Sequence, residues 1–341
     1  MFTPISIIVK SFNRPYYLDR CLQSIFKYVS GDYNVIVVDD GTPPIYLDKI
    51  KKKHPKVTMV YSDLYEEKVA QLQAHAFGTS SFNLKIIPSK LWVKAVQDAS
   101  QVFCMLEDDV WITVSFDISE ISNHMRTREI VLAKMYWGGN TEGFPSNVSK
   151  EVHGLQEYVP DLPKGPEWLT RMLLLNNFKI YSAAYRLRFV KEAIYFQLPF
   201  YGLYSVASAF FDKSYWLHLW EDKQIKADEV YQLSKALNWV KHHPSGFAKT
   251  QHQLTETSFI SSATNTFKDV DFDVIAASHY LNEAWLRGEL DAMQNYPKDF
   301  TPEYLKPIFD NAADTRCTFE NWLQWIKRFK GLYSSMGVTV D

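Results

Sequence analysis

Phe103-Cys104-Met105-Leu106-Glu107-Asp108-Asp109-Val110 is the stretch on which the reading of this chain turns. A short apolar run ends in three consecutive carboxylates, and apolar residues resume at once. Adjacent like charges repel, so the cluster is costly unless a cation, or the ligand of one, neutralises it. A strand that delivers carboxylates to its C-terminal edge is where open α/β sheets hold their ligands. Magnesium or manganese, held by one or two carboxylates with substrate phosphates completing the shell, is the matching chemistry. A solvated acidic turn after a buried strand fits the stretch equally well. The surrounding chain has to decide.

Upstream, residues 89–99 form an amphipathic helical pattern with Leu91, Trp92, Ala95 and Val96 on one face, leading into a strand at 102–106. Near the N-terminus, residues 5–9 are an apolar run rich in β-branched side chains, the mark of a strand buried on both faces of a parallel sheet. Asn13-Arg14-Pro15 breaks it, and Tyr17, Leu18, Cys21, Leu22, Ile25 and Phe26 recur at helical spacing. A second run at 34–38 ends in Asp39-Asp40-Gly41-Thr42; a helix at 46–53 and a strand at 57–61 follow. The order strand–helix–strand–helix–strand implies a parallel sheet with right-handed crossovers. Residues 62–84 show no clean period. Two strands of one sheet thus end in carboxylates, at the edge where a nucleotide would meet them.

These residues carry a resemblance. Ile5-Ser6-Ile7-Ile8-Val9-Lys10-Ser11-Phe12-Asn13-Arg14-Pro15, the Val38-Asp39-Asp40-Gly41-Thr42 turn and Leu106-Glu107-Asp108-Asp109 resemble, in order, the opening strand, the Asp-Asp-Gly-Ser turn and the metal-binding Asp-x-Asp motif of glycosyltransferase family 2. The resemblance implies a GT-A fold, a Rossmann-like nucleotide-binding half joined to a mixed acceptor half. It implies a nucleotide-sugar donor, most often a UDP-sugar, a divalent metal (Mn²⁺ or Mg²⁺) and inversion at the anomeric carbon. It further implies that Asp39 accepts a hydrogen bond from the base, that Phe12 lies against the ring, and that Lys10, Arg14 and Asp108 belong to the nucleotide-sugar site. Asp109 is then the direct metal ligand and Glu107 the outer member of the triplet. The chain departs from the family in three places, of which two are single residues. Lys10 stands where a small or hydroxyl residue is usual, and Glu107 stands where Asp is usual. The segments that normally precede the acidic motif are not recognisable, which makes Lys85 a candidate phosphate partner.

Beyond residue 115 the parallel rhythm is lost. A strand is expected at 130–136, a long loop at 138–166 and another strand at 179–184. Trp137, Tyr201 and Tyr204 are candidate acceptor-stacking aromatics. Asp228-Glu229 opens a helix whose apolar face is Val230, Leu233, Leu237 and Val240. Acids are favoured at a helix start by its dipole alone. An inverting transfer also needs a carboxylate to take the acceptor hydroxyl's proton, and the family places one here. Asp228 is preferred as that base, with Glu229 second and Asp222 third. His243, in the His242-His243-Pro244 segment, is a candidate further metal ligand.

Three amphipathic helices are expected after residue 256, at 272–286, 303–310 and 318–330. The expected organisation is a nucleotide-sugar half at 1–115, an acceptor half at 116–255 and a C-terminal helical region at 256–341. That region is expected to pack on the catalytic part or on a second subunit as a homo-oligomer. Lys327, Arg328 and Lys330, beside Trp325 and Phe329, offer a peripheral contact to an anionic membrane carrying a lipid-linked saccharide acceptor. The chain of 341 residues has a net charge of −2, which gives no electrostatic footprint for nucleic acid. Its three scattered cysteines suit a reducing compartment, and the expected location is cytoplasmic. Two other functions are weighed against glycosyl transfer. A sugar-phosphate nucleotidyltransferase would show a Gly-rich loop after the first strand, and this chain has none there. A non-catalytic glycan-binding module would point the acids near residue 229 away from the triplet.

Overall fold

Strand β1 (Ile5–Ser11) is the strand around which the sheet is built, and it is buried on both faces. The computed structural model describes residues 3–79, 82, 87–136, 138, 146–152, 154–176, 179–188, 197–221 and 229–340. After β1 come α1 (Pro15–Tyr28), β2 (Val29–Ser30), β3 (Tyr33–Asp39), α2 (Pro44–Lys53), β4 (Val57–Tyr61) and α3 (Tyr65–Ala76). Helix α4 (Ser89–Gln97) leads into β5 (Val102–Glu107), β6 (Val110–Ile112), β7 (Phe116–Asp117), α5 (Ile118–Thr127) and β8 (Ile130–Lys134). Then follow β9 (Ser146–Val152), β10 (Leu155–Pro160), α6 (Glu167–Leu174), α7 (Ile180–Arg186), β11 (Ser208–Asp212) and α8 (Lys213–Trp220). The chain closes with α9 (Glu229–His242), β12 (Gly246–Thr250), β13 (Thr255–Thr257), α10 (Val274–Arg287), α11 (Pro302–Ala312) and α12 (Phe319–Ser335).

Among the described residues the main sheet runs β4-β3-β1-β5-β11-β8-β12-β10-β9. The first four strands are mutually parallel. Strand β11 lies antiparallel between β5 and β8, and β12 then runs parallel to β8. Strands β10 and β9 close that edge as antiparallel neighbours. A parallel half is thus joined to a mixed half, the arrangement that the family resemblance implies.

Side chains alternate across a strand, so β1 feeds two cores. Ile7 and Val9 pack with Leu18, Leu22 and Leu47 of α1 and α2. Ile8 packs on the other face with Leu91 and Val96 of α4 and Phe103 of β5. The chain winds outward from β1 through β3 to β4, then returns to the other side of β1 as β5. The carboxyl ends of β1 and β5 therefore flank a topological switch point, where such sheets open a crevice. The register pairs Lys10 with Glu107 and Ser11 with Asp39 along that edge.

Three expectations are corrected. Residues 179–184 are not a strand; α7 covers all but the first of them, and Asn176 braces it by accepting from the Ser182 backbone N–H and donating to its hydroxyl. The span 138–166 is not a single long loop, because it contains the β9–β10 pair. The unassigned stretch after residue 62 holds α3, with Tyr65, Val69 and Leu72 buried one turn or two apart.

The C-terminal helices pack on the first third of the chain, with α10 against α1, α2 and α3. Asn282, fully buried, donates to the backbone oxygen and side-chain oxygen of Asn13, each at 3.0 Å. Arg20, also buried, donates to the carbonyls of Ala292 and Lys298 at 2.7 and 3.0 Å and lies between the rings of Trp111 and Phe300. All three cysteines are buried and free. Among the described residues no helix is long and apolar enough to cross a membrane.

Candidate active site

The turn from β1 into α1 organises the site. Pro15 fixes the first helical position of α1, and Asn13 takes a left-handed φ of 53°, a conformation that asparagine tolerates better than most residues. The chain thereby turns its Phe12 N–H onto Asp108 Oδ2 at 3.0 Å. It also aims the Arg14 guanidinium as a fork at the acidic triplet, with Nη2 at 2.5 Å from Asp108 Oδ1 and Nη1 at 2.6 Å from Asp109 Oδ2. Both carboxyls are buried, which drives their pKa values upward, and Arg14 offsets only part of that. Burial likewise opposes the charge on Arg14, but Asp108 and Asp109 outweigh it and hold the guanidinium well above its ordinary pKa.

Glu107 ends β5 and accepts at Oε1 from Lys10 Nζ at 2.7 Å. Lys10 also donates to the Val206 carbonyl and lies over the Trp92 ring. The two single-residue departures from the family pattern are therefore partners, brought face to face by the β1–β5 register. Three carboxylates still face only two cations here. Among the described residues Asp109 Oδ1 is buried without a hydrogen-bond partner, and Glu107, 31% exposed, has one oxygen paired with Lys10. Asp108 has both oxygens committed. Asp109 and Glu107 are thus the pair that fits a divalent cation whose shell is completed by phosphate oxygens.

The triplet opens into a cavity of about 850 Å³ at the switch point. One end is lined by Phe12, Phe82, Asp40 and Lys68. The Phe12 and Phe82 rings lie 5.6 Å apart, and Lys68 is paired with Asp40. Asp39 is not in this wall. It is fully buried, and its oxygens accept from the Ser11 hydroxyl and from the Gly41 and Thr42 N–H groups and the Thr42 hydroxyl. Burial raises its pKa to about 6 in spite of those bonds. Its neighbour Asp40, paired with Lys68, is the acid of this turn that lines the cavity among the described residues.

The opposite end carries the acceptor-side candidates. Glu229 begins α9, lines the cavity, and accepts a hydrogen bond from the Tyr201 hydroxyl at 2.6 Å. Lys134, at the end of β8, donates to the Tyr201 carbonyl, and burial lowers its pKa to about 7. Tyr204 is buried in the same wall, together with Trp220. His243 is not brought to the site. It is exposed beyond the far end of α9, stacked on Trp239 at 4.0 Å, about 20 Å from Glu229 at the rise of an α-helix. Among the described residues no cluster of three or more His, Cys, Asp or Glu is arranged to hold a metal ion. Asp222, Asp228, Lys85 and Trp137 lie outside the described residues.

The sequence reading missed Asp40, Lys68 and Lys134. For Lys134 a signal existed, a lysine ending the apolar run Ile130-Val131-Leu132-Ala133. For Lys68 there was little, because its helix has only a narrow apolar stripe.

Residues 6–73 match the family model described as glycosyl transferase family 2. The match covers β1 through α3 and stops short of the acidic triplet. No curated protein sequence matches the chain. Among solved structures the chain is similar to residues 1–349 of S. aureus TarS, with 13% identity and a TM-score of 0.41 over 91% of this chain and 71% of that one. The same protein in complex with UDP-GlcNAc matches with 12% identity and a TM-score of 0.43 over 90% and 71% of the two chains. The apo structure of the bifunctional glycosyltransferase WbbM matches with 12% identity and a TM-score of 0.37 over 96% and 52%. These likenesses are loose in both sequence and shape.

Proposed function

We propose that this chain, whose residues 6–73 match glycosyl transferase family 2, is an inverting glycosyltransferase. It takes a sugar from a nucleotide diphosphate-sugar, a UDP-sugar, and moves it to a hydroxyl of a saccharide or lipid-linked saccharide in glycan assembly. One observation carries the reading. Among the described residues, one cavity at the switch point is lined by both the acidic triplet and Glu229.

The nucleobase lies against Phe12 and Phe82, with Asp40 as its hydrogen-bond acceptor. Lys10 and Arg14 bring positive charge to the diphosphate end. When bound at Asp109 and Glu107, a divalent cation, Mn²⁺ or Mg²⁺, supplies charge that stabilises the departing diphosphate. The base is drawn from Asp228, Glu229 and Asp222; Glu229, the one of the three among the described residues, lines the cavity. Its carboxylate takes the acceptor hydroxyl's proton as the oxygen bonds to the anomeric carbon. The bond from that carbon to the phosphate oxygen breaks at the same time, and the nucleoside diphosphate leaves with the electron pair. Tyr201, hydrogen-bonded to Glu229, holds the carboxylate for the attack.

Calorimetric titration of UDP tests the donor side. Affinity should rise at least tenfold on adding Mn²⁺ or Mg²⁺, and Asp109→Asn should abolish that rise while leaving metal-free binding in place. Equal UDP affinity with and without metal in the unaltered protein would remove the metal assignment. The absence of any UDP binding would remove the donor assignment.

A further inference from the structure

Helix α12 is a wall of the cavity, through Phe329, Leu332, Tyr333 and Met336, with Val338 just beyond it. The tail that follows is latched across the molecule, the Thr339 N–H donating to the Gly138 carbonyl at 2.8 Å. Gly138 has a φ of +73°, and a Cβ there would meet Val338 Cγ1 at 3.0 Å, so both its backbone and the tail call for glycine. The end of the chain is therefore fixed against the site.

Within this wall Tyr333 has a distinctive position. Its ring is held edge-on by Phe259 at 5.3 Å and Phe329 at 5.1 Å. Burial raises the pKa of its phenol, and Glu107, Glu229 and Asp109 raise it further, so the hydroxyl stays protonated and feels carboxylates from both sides of the cavity. Tyr201, the partner of Glu229, is raised by burial and by Glu229, with Tyr333 adding to it. Tyr333 thus lines the cavity within electrostatic reach of both the triplet and Glu229.

Inversion requires the attacking hydroxyl and the departing diphosphate to stand on opposite faces of the anomeric carbon. A cavity-lining hydroxyl within reach of both the diphosphate end and the base is placed to meet the sugar that is transferred. We infer that Tyr333 is a donor-sugar-binding residue, whose phenol hydrogen-bonds a hydroxyl or ring oxygen of the pyranosyl unit of the nucleotide-sugar. The inference rests on the function proposed above, and it makes the C-terminal helix part of the catalytic unit.

Binding of UDP and of UDP-hexoses, measured side by side with metal present, separates the two claims. The unaltered protein should bind its UDP-hexose more tightly than UDP. Tyr333→Phe should weaken UDP-hexose binding about 3- to 10-fold, the loss expected for one neutral hydrogen bond, with UDP affinity unchanged. Tyr333→Ala should lose more, and Glu320→Gln, on the exposed start of the same helix, should lose nothing. UDP-hexose affinity unaltered in Tyr333→Phe, with UDP still bound, would overturn the Tyr333 assignment alone. Failure of the unaltered protein to bind UDP would overturn the donor reading, and this inference with it.

Discussion

Arg14 decides whether three adjacent carboxylates are tolerable in this fold. It is buried, and its fork is the shared counter-charge of Asp108 and Asp109. Removing one side of a buried ion pair leaves the other uncompensated, so Arg14→Ala should cost about 3–5 kcal/mol in urea unfolding. Arg14→Lys should recover little, because an ammonium cannot span both carboxyls as a fork does. Asp39 makes a second residue-level test. Asp39→Ala strands two backbone donors and should cost about 2–3 kcal/mol. Asp39→Asn should cost less, since its oxygen can keep the two N–H groups while the Ser11 and Thr42 hydroxyls turn to accept from its nitrogen. The pH dependence has a definite sign. An unfolded Asp ionises near 4 and native Asp39 near 6, so the folded state holds the extra proton between those values. Stability contributed by this group is present below the lower value and falls as pH rises to the upper one. The unaltered protein should therefore lose stability relative to Asp39→Asn between about pH 4 and 6, and a gain over that window would contradict the assignment. Asp109, Glu107 and Arg14 were legible in the sequence because three acids closing an apolar strand need an explanation. Asp40 was visible as a strand-end acid, but the distinction between it and Asp39 depends on which one the turn's N–H groups consume. Tyr333 had no signal, since one tyrosine among 20 is legible only once the helix is placed.

At the level of elements, adjacency of β1 and β5 turns two departures from a family pattern into one paired change. Lys10 and Glu107 occupy opposed register positions, and the longer Glu reaches the ammonium. Lys10→Ser alone leaves Glu107 without its partner, and Glu107→Asp alone shortens the reach. Each single change should lower kcat/KM about tenfold or more, and the double variant should recover part of the loss, a coupling that a double-mutant cycle reads directly. Strictly additive losses would contradict a functional pair. Strands β1, β3 and β5 and helices α1, α4 and α10 were readable because buried parallel strands are near-continuous apolar runs and their helices have wide apolar faces. Helix α7 was mistaken for a strand because Ile180-Tyr181-Ser182 begins with strand-favouring side chains, a preference that six residues cannot arbitrate. Strand β9 is the edge strand of the sheet and β10 its neighbour, amid glycine, proline and polar residues. Edge strands need little apolar character, so their composition reads as loop.

For the whole molecule, the C-terminal helices are fastened to the N-terminal third through Arg20 and Asn282, and α12 completes the cavity wall. Asn282→Ala removes a buried donor from both oxygens of Asn13, in the turn that aims Arg14. It should lower stability by about 1–3 kcal/mol and weaken UDP binding, although Asn282 itself does not line the cavity. Calorimetry and urea unfolding on the same variant check both effects. Three C-terminal helices were readable from their periodicity, but their attachment was not. It depends on carbonyls at 292–298 meeting an arginine more than 270 positions earlier, and no local pattern encodes that distance. The central claim is that the triplet and Glu229 face each other across one transfer site. Release of UDP from a panel of UDP-sugars, with Mn²⁺ or Mg²⁺, tests it most directly when the unaltered protein is compared with Asp109→Asn and Glu229→Gln. The account predicts metal-stimulated UDP release that falls at least about 100-fold in both folded variants, in the range a lost catalytic acid–base group produces. No release from any UDP-sugar, or full release by both variants, would contradict it.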